Sequence, residues 1–210
     1  MLLAVASTFF VLVEWNNTAT LANLNFFDKL VTGIEGGIMP RSGGLNSFDW
    51  NEVRPETLFV AIIMMFIGGG SASTAGGIKV TTFLLLAFVI YAELRGEAQV
   101  RVGSRSIGPR TIRTALSIAL IAVMLVTGGA LSLMLVSDVG FSKALFEATS
   151  AFGTVGLSVG VTAQLGAAGQ LVLIVLMFIG RVGTITAASA FVIRRRQPRY
   201  HLPEEQPIIG

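Results

Sequence analysis

The run GGGSASTAGG at residues 68–77 separates two apolar segments, residues 58–67 and 78–91. Neither segment has the roughly 20 residues that a helix needs to span a bilayer, but the two together with the run do. Irregular backbone at membrane depth is tolerated only where protein buries it or where it lines an aqueous cavity, because its amides and carbonyls lack helix partners. We therefore expect a membrane helix with a glycine-rich interruption at residues 68–77, called the break, beside a transport pathway.

The composition favours a membrane protein. Hydrophobic residues make up 53% and charged residues 13% of the chain, whereas soluble domains carry about 25% charged residues. The chain has no cysteine and one histidine, His201, which excludes disulfides, thiolate catalysis and cysteine metal sites. We interpret the net charge of +3 as a topology signal rather than a nucleic-acid footprint, because the basic residues flank apolar segments.

Residues 1–92 and 114–193 repeat one pattern: an apolar helix, a half-length segment that ends in a glycine turn, and a second apolar helix. In the first copy the outer helix is shortened, the half-length segment and its turn cover about 27–46, and the broken helix covers about 56–92. In the second copy the helices cover 114–136 and 168–193, with the half-length segment at 142–152. This pattern predicts re-entrant pore loops, since internal repeats are common in transporters. An ordinary loop with an interfacial helix is the alternative.

Charge is distributed asymmetrically along the chain. Arginine is concentrated in the linker at 93–113 and in the tail at 194–210. We expect both to be cytoplasmic in a multi-pass plasma-membrane protein, the inner membrane of a bacterium, because basic loops stay inside. An acidic opposite side would concentrate cations at its mouth. The acidic residues assigned to that side are Glu14, Asp28, Glu35, Asp49, Glu52, Glu56 and Asp138.

Two glycine turns follow the half-length segments. The first glycine turn reads RSGGLN at 41–46, and the second reads GTVGLS at 153–158. The TVGL of the second turn resembles the TVGY core of potassium-channel filters, in which backbone carbonyls replace the hydration shell of the ion. Glycine lets a carbonyl point inward at dihedral angles that a side chain would forbid. A half-length helix before the turn aims the negative end of its dipole at the ion.

Three segments resemble the Trk/Ktr/HKT superfamily of cation transporters. Residues 66–83, FIGGGSASTAGGIKVTTF, are similar to its broken inner helix, and residues 146–158, FEATSAFGTVGLS, are similar to its last pore loop. MFIGRVGT at 177–184 and LPEEQPIIG at 202–210 resemble the KtrB-like pore subunits of the Ktr branch. Family subunits have four helix–pore loop–helix repeats, and this chain matches the third and fourth. We therefore expect the C-terminal half of such a subunit, truncated within its first helix; two copies that together supply four loops are the alternative.

The resemblance implies an all-α membrane protein with two helix–pore loop–helix repeats, the inner helix of the first being broken by a gate loop. It implies potassium uptake through a channel-like translocating subunit and no covalently bound cofactor. Potassium is the expected ion, and sodium stays open because only two loops are visible. Gly43 replaces the alanine usual in the third loop, which would soften that part of the filter. The implied potassium ligands are the carbonyls of Ser42, Gly43, Gly44, Leu45, Thr154, Val155, Gly156 and Leu157.

The same resemblance implies that the break is an intramembrane gate below the filter; a passive kink is the alternative. An arginine inside a membrane helix costs about 3 kcal/mol or more. We predict that Arg181 repels cations in the closed state and donates hydrogen bonds to gate carbonyls, with an ion pair to Glu147 as the alternative. Lys79 would neutralise a neighbour or add a positive barrier. The implied gate residues are Gly68, Gly69, Gly70, Ser71, Ser73, Thr74, Gly76, Gly77, Lys79 and Arg181.

Partners and competing functions follow from the same residues. The resemblance implies a dimer of pore subunits and a cytosolic, KtrA-like ring of nucleotide-binding regulatory subunits, and the basic linker could dock that ring or anionic lipid. Glu35 and Glu147 would anchor the pore loops or form a solvated rim. The break lacks the Gly-Lys-Ser/Thr ending of a phosphate-binding loop. No histidine or paired aspartate lies in a membrane segment, so we do not expect an enzyme. A secondary ion-coupled transporter of another broken-helix fold is the alternative function.

Overall fold

Seven α-helices lie within the residues that the computed structural model describes, which are 2–41, 43–70, 73, 75–97, 99–103 and 105–190, with side chains through 182. The helices are α1 (Leu2–Glu14), α2 (Phe26–Ile38), α3 (Pro55–Phe66), α4 (Val80–Leu94), α5 (Pro109–Val136), α6 (Phe141–Gly153) and α7 (Ala167–Ala190). A two-stranded antiparallel hairpin, β1 (Arg101–Val102) and β2 (Arg105–Ser106), lies between α4 and α5, and a short 3₁₀ turn at Thr162–Gln164 precedes α7.

Proline sets the start of two helices. Pro55 and Pro109 occupy the first positions of α3 and α5, after extended residues Arg54 and Gly108. Proline suits this position because its fixed φ is helical and its missing amide hydrogen would have no partner there. As a result α5 begins at Pro109 rather than at residue 114. The hairpin is the exception to an all-α fold, and its turn contains Gly103 at φ +61°.

Only α5, within the part of the chain that the structure describes, is long and apolar enough to cross a membrane by itself. The helices α1, α3 and α4 and the described part of α7, Ala167–Val182, are apolar but shorter. Large apolar side chains are exposed along α5, including Leu120, Met124 and Leu135. Exposed apolar area of this extent is rare on soluble monomers and suits a surface that faces lipid.

The half-length helix α6 lies at the centre of the packing. It contacts α3, α5 and α7, whereas α2 packs mainly on α1. Phe146 of α6 is fully buried. A chain of ring contacts joins Phe10 of α1 to Trp50 and Trp50 to Phe146, at centroid distances of 6.0 and 5.8 Å. These aromatic contacts connect the first helix, the segment after the first glycine turn, and α6 in one core.

Glycine allows α5 and α7 to approach closely. A Cβ atom placed on Gly129 would lie 2.5 Å from Leu176 Cδ1, whereas one placed on Gly128 would meet nothing within 4 Å. The Gly128–Gly129 pair therefore presents one residue, Gly129, to the α5–α7 contact, and both of these helices also contact α6.

Candidate functional site

The second glycine turn begins where α6 ends. Thr154 has left-handed backbone angles, φ 51° and ψ 41°, and its amide donates to the Ala151 carbonyl at 3.0 Å. Val155 N donates to the Ser150 carbonyl at 3.0 Å, and Gly156 has φ +92°. The chain thus leaves the carboxyl end of α6 through two positions with positive φ, Thr154 and Gly156, which are separated by Val155. This geometry reverses its direction and keeps the turn beside the helix end.

Buried side chains of α6 hold the residues that follow this turn. Glu147 is 3% exposed; its Oε1 accepts from Val159 N at 3.1 Å and from Ser158 Oγ at 2.5 Å, and its Oε2 accepts from Thr162 Oγ1 at 2.7 Å. Hydrogen bonds to a carboxylate are about twice as strong as neutral ones. These contacts favour the anchoring role predicted for Glu147 over a solvated rim.

The Leu157 carbonyl is directed toward α6. It accepts a hydrogen bond from Ser150 Oγ at 2.5 Å, and Leu157 itself is 2% exposed. Of the ligands expected on the second glycine turn, this carbonyl is therefore the least suited to face an ion. Thr154, Val155 and Gly156 have carbonyls that accept no hydrogen bond within the described residues.

The first glycine turn contacts the second at one point. Gly44 has φ +66°, and a Cβ atom placed on it would lie 2.8 Å from the Val155 carbonyl oxygen. A Cβ atom on Gly156 would lie 3.4 Å from Gly44 Cα. Gly44 and Gly156, both among the predicted filter residues and 112 positions apart in the numbering (156 minus 44), are therefore neighbours. Gly43 N donates to the Met39 carbonyl at 3.2 Å and Leu45 is exposed; Ser42 lies outside the described residues.

Backbone hydrogen bonds close the base of the break. Gly68 N donates to the Ile78 carbonyl at 2.8 Å, Ile78 N to the Phe66 carbonyl at 3.1 Å, and Val80 N to the Gly69 carbonyl at 3.2 Å. Residues 67 and 78 form a parallel bridge. The end of α3 and the start of α4 are thus held together at the base of the break. Ser71 and Thr74 lie outside the described residues.

Lys79 bonds to carbonyls of the break. Its ammonium donates to the Ser73 carbonyl at 2.7 Å and to the Ala75 carbonyl at 3.0 Å. Both acceptors are backbone carbonyls, so Lys79 supplies hydrogen bonds to the break and brings a positive charge to it.

The break lies against the carboxyl end of α6. A Cβ atom on Gly76 would be 2.7 Å from the Phe152 carbonyl oxygen and 3.0 Å from the Gly153 carbonyl oxygen. A Cβ atom on Gly180 of α7 would overlap the same Phe152 oxygen. Only glycine fits at these close approaches. The end of α6 is therefore seated between the break and α7.

Arg181 lines an open cavity beside the second glycine turn. The cavity has a volume of about 720 Å³ and is also lined by Glu147, Thr154 and Gly156. Arg181 is exposed in this structure, and the carboxylate of Glu147 is occupied by the residues after the turn. The structure brings Arg181 close to the predicted filter residues.

Sequence reasoning missed the role of Glu14. It was assigned to the acidic side of the membrane, and the structure buries it fully at the end of α1. Its Oε1 accepts from Arg54 N at 2.9 Å and Thr57 Oγ1 at 2.5 Å, and its Oε2 accepts from Asn17 Nδ2 at 2.6 Å and Thr20 Oγ1 at 2.8 Å. The bonds from Arg54 and Thr57 fix the start of α3 to the end of α1, and those from Asn17 and Thr20 hold the segment that follows α1. The pairing of Glu14 with nearby Asn17 and Thr20 was the only local signal of this role.

Several predicted features lie outside the described residues. They include the tail at 194–210 with its arginines and His201, and the end of the last helix at 191–193. Glu35 of α2 makes no side-chain hydrogen bond within the part of the chain that the structure describes.

These features define a helical membrane protein in which two glycine turns meet beside a broken helix. The chain belongs to the TrkH family of cation transport proteins, whose family model matches residues 1–202. It is 37% identical over its whole length to Ktr system potassium uptake protein B of Bacillus subtilis, covering 47% of that protein. It is 36% identical over 90% of its length to Ktr system potassium uptake protein D of the same organism, covering 42% of that protein.

A further relative is potassium/sodium uptake protein NtpJ of Enterococcus hirae, 32% identical over the whole of this chain and 48% of NtpJ. The chain also shares its fold with the crystal structure of the potassium transporter TrkH from Vibrio parahaemolyticus. The TM-score is 0.71 at 18% identity, over 92% of this chain and 42% of that one. The chain therefore spans about half the length of the relatives that it matches.

Proposed function

We propose that this chain forms part of the potassium pathway of a Trk/Ktr-type uptake system. The contact between Gly44 and Gly156, both at positive φ, is the observation that carries the proposal. Two glycine turns that meet beside a helix end can present backbone carbonyls to one dehydrated cation. The names of the relatives in Bacillus subtilis, which are potassium uptake proteins, support the choice of ion.

The selectivity filter would use carbonyls from both turns. We assign Ser42, Gly43, Gly44 and Leu45 on the first turn and Thr154, Val155 and Gly156 on the second, with Leu157 in a supporting position. The buried carboxyl end of α6 directs its negative dipole end toward the ion. Two turns fill only half of a pseudo-fourfold ring. The other two loops would come from a preceding half of the subunit, as the length of the relatives suggests, or from a second copy.

The break would be the gate of this pathway. Its base is closed by backbone hydrogen bonds, while its tip is held by Lys79 and by the contact of Gly76 with α6. A segment whose ends are fixed, and whose remaining contacts can be exchanged for others, suits a switch between two positions. Arg181, beside the second glycine turn, would repel cations that enter from the break while the gate is closed.

The placement in the membrane follows the charge pattern. We propose a multi-pass plasma-membrane protein with the linker and the C-terminus in the cytoplasm, in contact with lipid. The linker exposes Arg101 and Arg105 on its hairpin, and Arg95 stacks on the ring of Tyr91 at 4.5 Å. This basic surface would meet a cytosolic regulatory ring, and the pore subunits would form a dimer.

Sodium and a different mechanism are the competing possibilities. The name of NtpJ includes sodium as well as potassium. A secondary ion-coupled transporter would depend on a driving ion and would show no competition among potassium, rubidium and caesium for a multi-ion filter. A channel-like filter would accept all three and discriminate against sodium.

Potassium uptake in a transport-deficient bacterium tests the proposal. Two proteins would be expressed: the chain alone, and the chain fused to the C-terminus of the N-terminal half of the Bacillus subtilis protein B. We expect growth at low potassium for the joined protein and loss of that growth for Gly156→Ala. Gly160→Ala is the matched control, since Gly160 also has positive φ, +81°, but a Cβ atom there meets nothing within 4 Å.

The outcomes separate the alternatives. Rescue by the chain alone would show that two copies supply four loops. Absence of uptake in both forms, with normal membrane insertion, would contradict the proposal unless the cytosolic partner restores it on co-expression. Equal loss in Gly156→Ala and Gly160→Ala would contradict the assignment of the filter to the second glycine turn.

A further inference from the structure

Thr154 is in an unfavourable backbone conformation. It is the one residue other than glycine with positive φ among those that the structure describes, at φ 51°. The left-handed region disfavours L-residues, and β-branched side chains such as threonine most of all. Such residues persist where their surroundings over-determine them, and they occur often at switches and ligand sites. The contacts that hold Thr154 in place are therefore of interest.

The Thr154 side chain holds the break. Its Oγ1 accepts a hydrogen bond from Gly76 N at 3.1 Å, across 78 residues of sequence. Gly76 is buried, and its backbone contacts the carbonyl groups of Phe152 and Gly153. The hydroxyl can reach this amide because no side chain intervenes at position 76.

The Thr154 backbone belongs to the second glycine turn. Its amide closes the end of α6 on Ala151, and the next residue, Val155, presents its carbonyl to Gly44. One residue thus connects three parts of the molecule: the end of α6, the break, and the point where the two glycine turns meet.

We infer that the Thr154 hydroxyl couples the position of the break to the conformation of the second glycine turn. The break cannot move away from α6 without losing the Gly76–Thr154 hydrogen bond, and that loss frees the side chain of the strained residue that shapes the turn. Coupling of this kind is reciprocal. A cation that fixes the turn stabilises the break against α6, and displacement of the break weakens cation binding. The side chain of Thr154 is therefore a positioning group, whereas its backbone carbonyl is one of the proposed ion ligands.

The expected effect of a cation rests on the proposed function, but the hydrogen bond between Thr154 and Gly76 does not. The chain has no cysteine, so one cysteine introduced into the break can be labelled selectively, with and without potassium. Ala75 is half-buried in the break, next to Gly76, and Ala75→Cys adds only a sulfur atom to its side chain. The labelling rate of this cysteine by a water-soluble methanethiosulfonate, in membranes that contain the full chain, reports how often the break leaves α6.

Thr154→Val and Thr154→Ser form the matched pair. Valine keeps the shape and the β-branch of threonine, and therefore the backbone strain, but cannot accept a hydrogen bond; serine keeps the hydroxyl. We expect Thr154→Val to raise the labelling rate of the Ala75→Cys protein about fivefold, the factor expected for one ordinary hydrogen bond. Thr154→Ser should leave the rate within about twofold. Gln99→Cys, exposed in the linker, is the control site and should label equally in all backgrounds.

Potassium supplies the second arm of the experiment. It should slow labelling with Thr154 or Thr154→Ser present and have no effect with Thr154→Val. Equal labelling of the valine and serine variants would overturn the coupling, as would potassium protection that is the same in all three backgrounds. A faster rate in Thr154→Val without any effect of potassium on the unsubstituted residue would support the link and contradict the proposed ion.

Discussion

The two half-length helices have similar lengths and are followed by similar glycine turns, but their surroundings differ. Helix α6 is enclosed by α3, α5 and α7, and its turn is tied back by Glu147 and Ser150. Helix α2 packs one glycine face on α1, where a Cβ atom on Gly36 would lie 2.6 Å from the Phe10 ring. Its opposite face exposes apolar side chains, of which Phe27 is 73% exposed.

This difference shows that the pattern of a half-length helix and a glycine turn does not by itself make a rigid turn. On α6, buried side chains of the helix hold the turn. On α2, backbone bonds from Arg41 to Ile38 and from Gly43 to Met39 hold the described part of the turn, and Gly44 contacts the second turn. Among the described residues, the first glycine turn is thus held by main-chain bonds, whereas side chains of α6 hold the second.

The largest expected difference concerns the buried aromatic of α6. Phe146→Ala should lower the free energy of unfolding by about 3–5 kcal/mol, because it leaves a cavity in the core beside Trp50. Phe27→Ala on α2 should change it by less than about 0.5 kcal/mol in the chain alone. Thermal unfolding in detergent measures both. A large effect of Phe27→Ala that arises only when the N-terminal half of a relative is attached would show that this half covers α2.

The second largest difference is expected between substitutions of the glutamates of the two helices, Glu147 on α6 and Glu35 on α2. Glu147→Ala removes the acceptor of three donors after the second turn, and we expect a loss of about 2–4 kcal/mol in stability together with loss of potassium uptake. Glu35→Ala should have little effect on stability. Comparable losses for the two variants would contradict the view that only α6 anchors its turn through a side chain.

The contact between the turns gives an intermediate effect. Gly44→Ala forces an alanine to φ +66° and places its Cβ 2.8 Å from the Val155 carbonyl oxygen, so we expect a cost of about 1–3 kcal/mol and weaker discrimination between potassium and sodium. Gly103→Ala in the hairpin is the control, with φ +61° and open space around it. If both variants behave alike, backbone strain alone explains the effect, and the turns are independent.

The smallest effect concerns a single hydrogen bond. Ser150→Ala removes the bond to the Leu157 carbonyl and should cost about 1 kcal/mol, with a modest change in uptake. Ser142→Ala, on the exposed start of the same helix, should be neutral. A larger effect of Ser142→Ala than of Ser150→Ala would be inconsistent with the packing of α6.

The helices were predictable from the sequence because apolar length and glycine position are local signals. Half-length segments were expected within 27–46 and at 142–152, and the structure has helices at Phe26–Ile38 and Phe141–Gly153. The anchoring role of Glu147 was also accessible, since its partners follow within 15 residues. Contacts between segments far apart in the sequence could not be predicted. Glu14 meets Arg54 and Thr57 across 40 and 43 residues, and no periodicity encodes such a meeting. The hairpin was missed because its arginines indicated topology rather than strands.

The closed base of the break has a consequence for how such sequences diverge. Its hydrogen bonds join main-chain atoms, which every residue except proline can supply. The hydrogen bonds at the base therefore restrict the type of amino acid at few positions. One of these is Gly68, where a Cβ atom would overlap the Gly76 carbonyl oxygen. The residues described between positions 70 and 75, Gly70, Ser73 and Ala75, make none of these three hydrogen bonds. Homologous chains should accordingly place their insertions and deletions at 70–75, and should conserve the spacing of residues 66–69 and 76–80 even where most side chains there have changed.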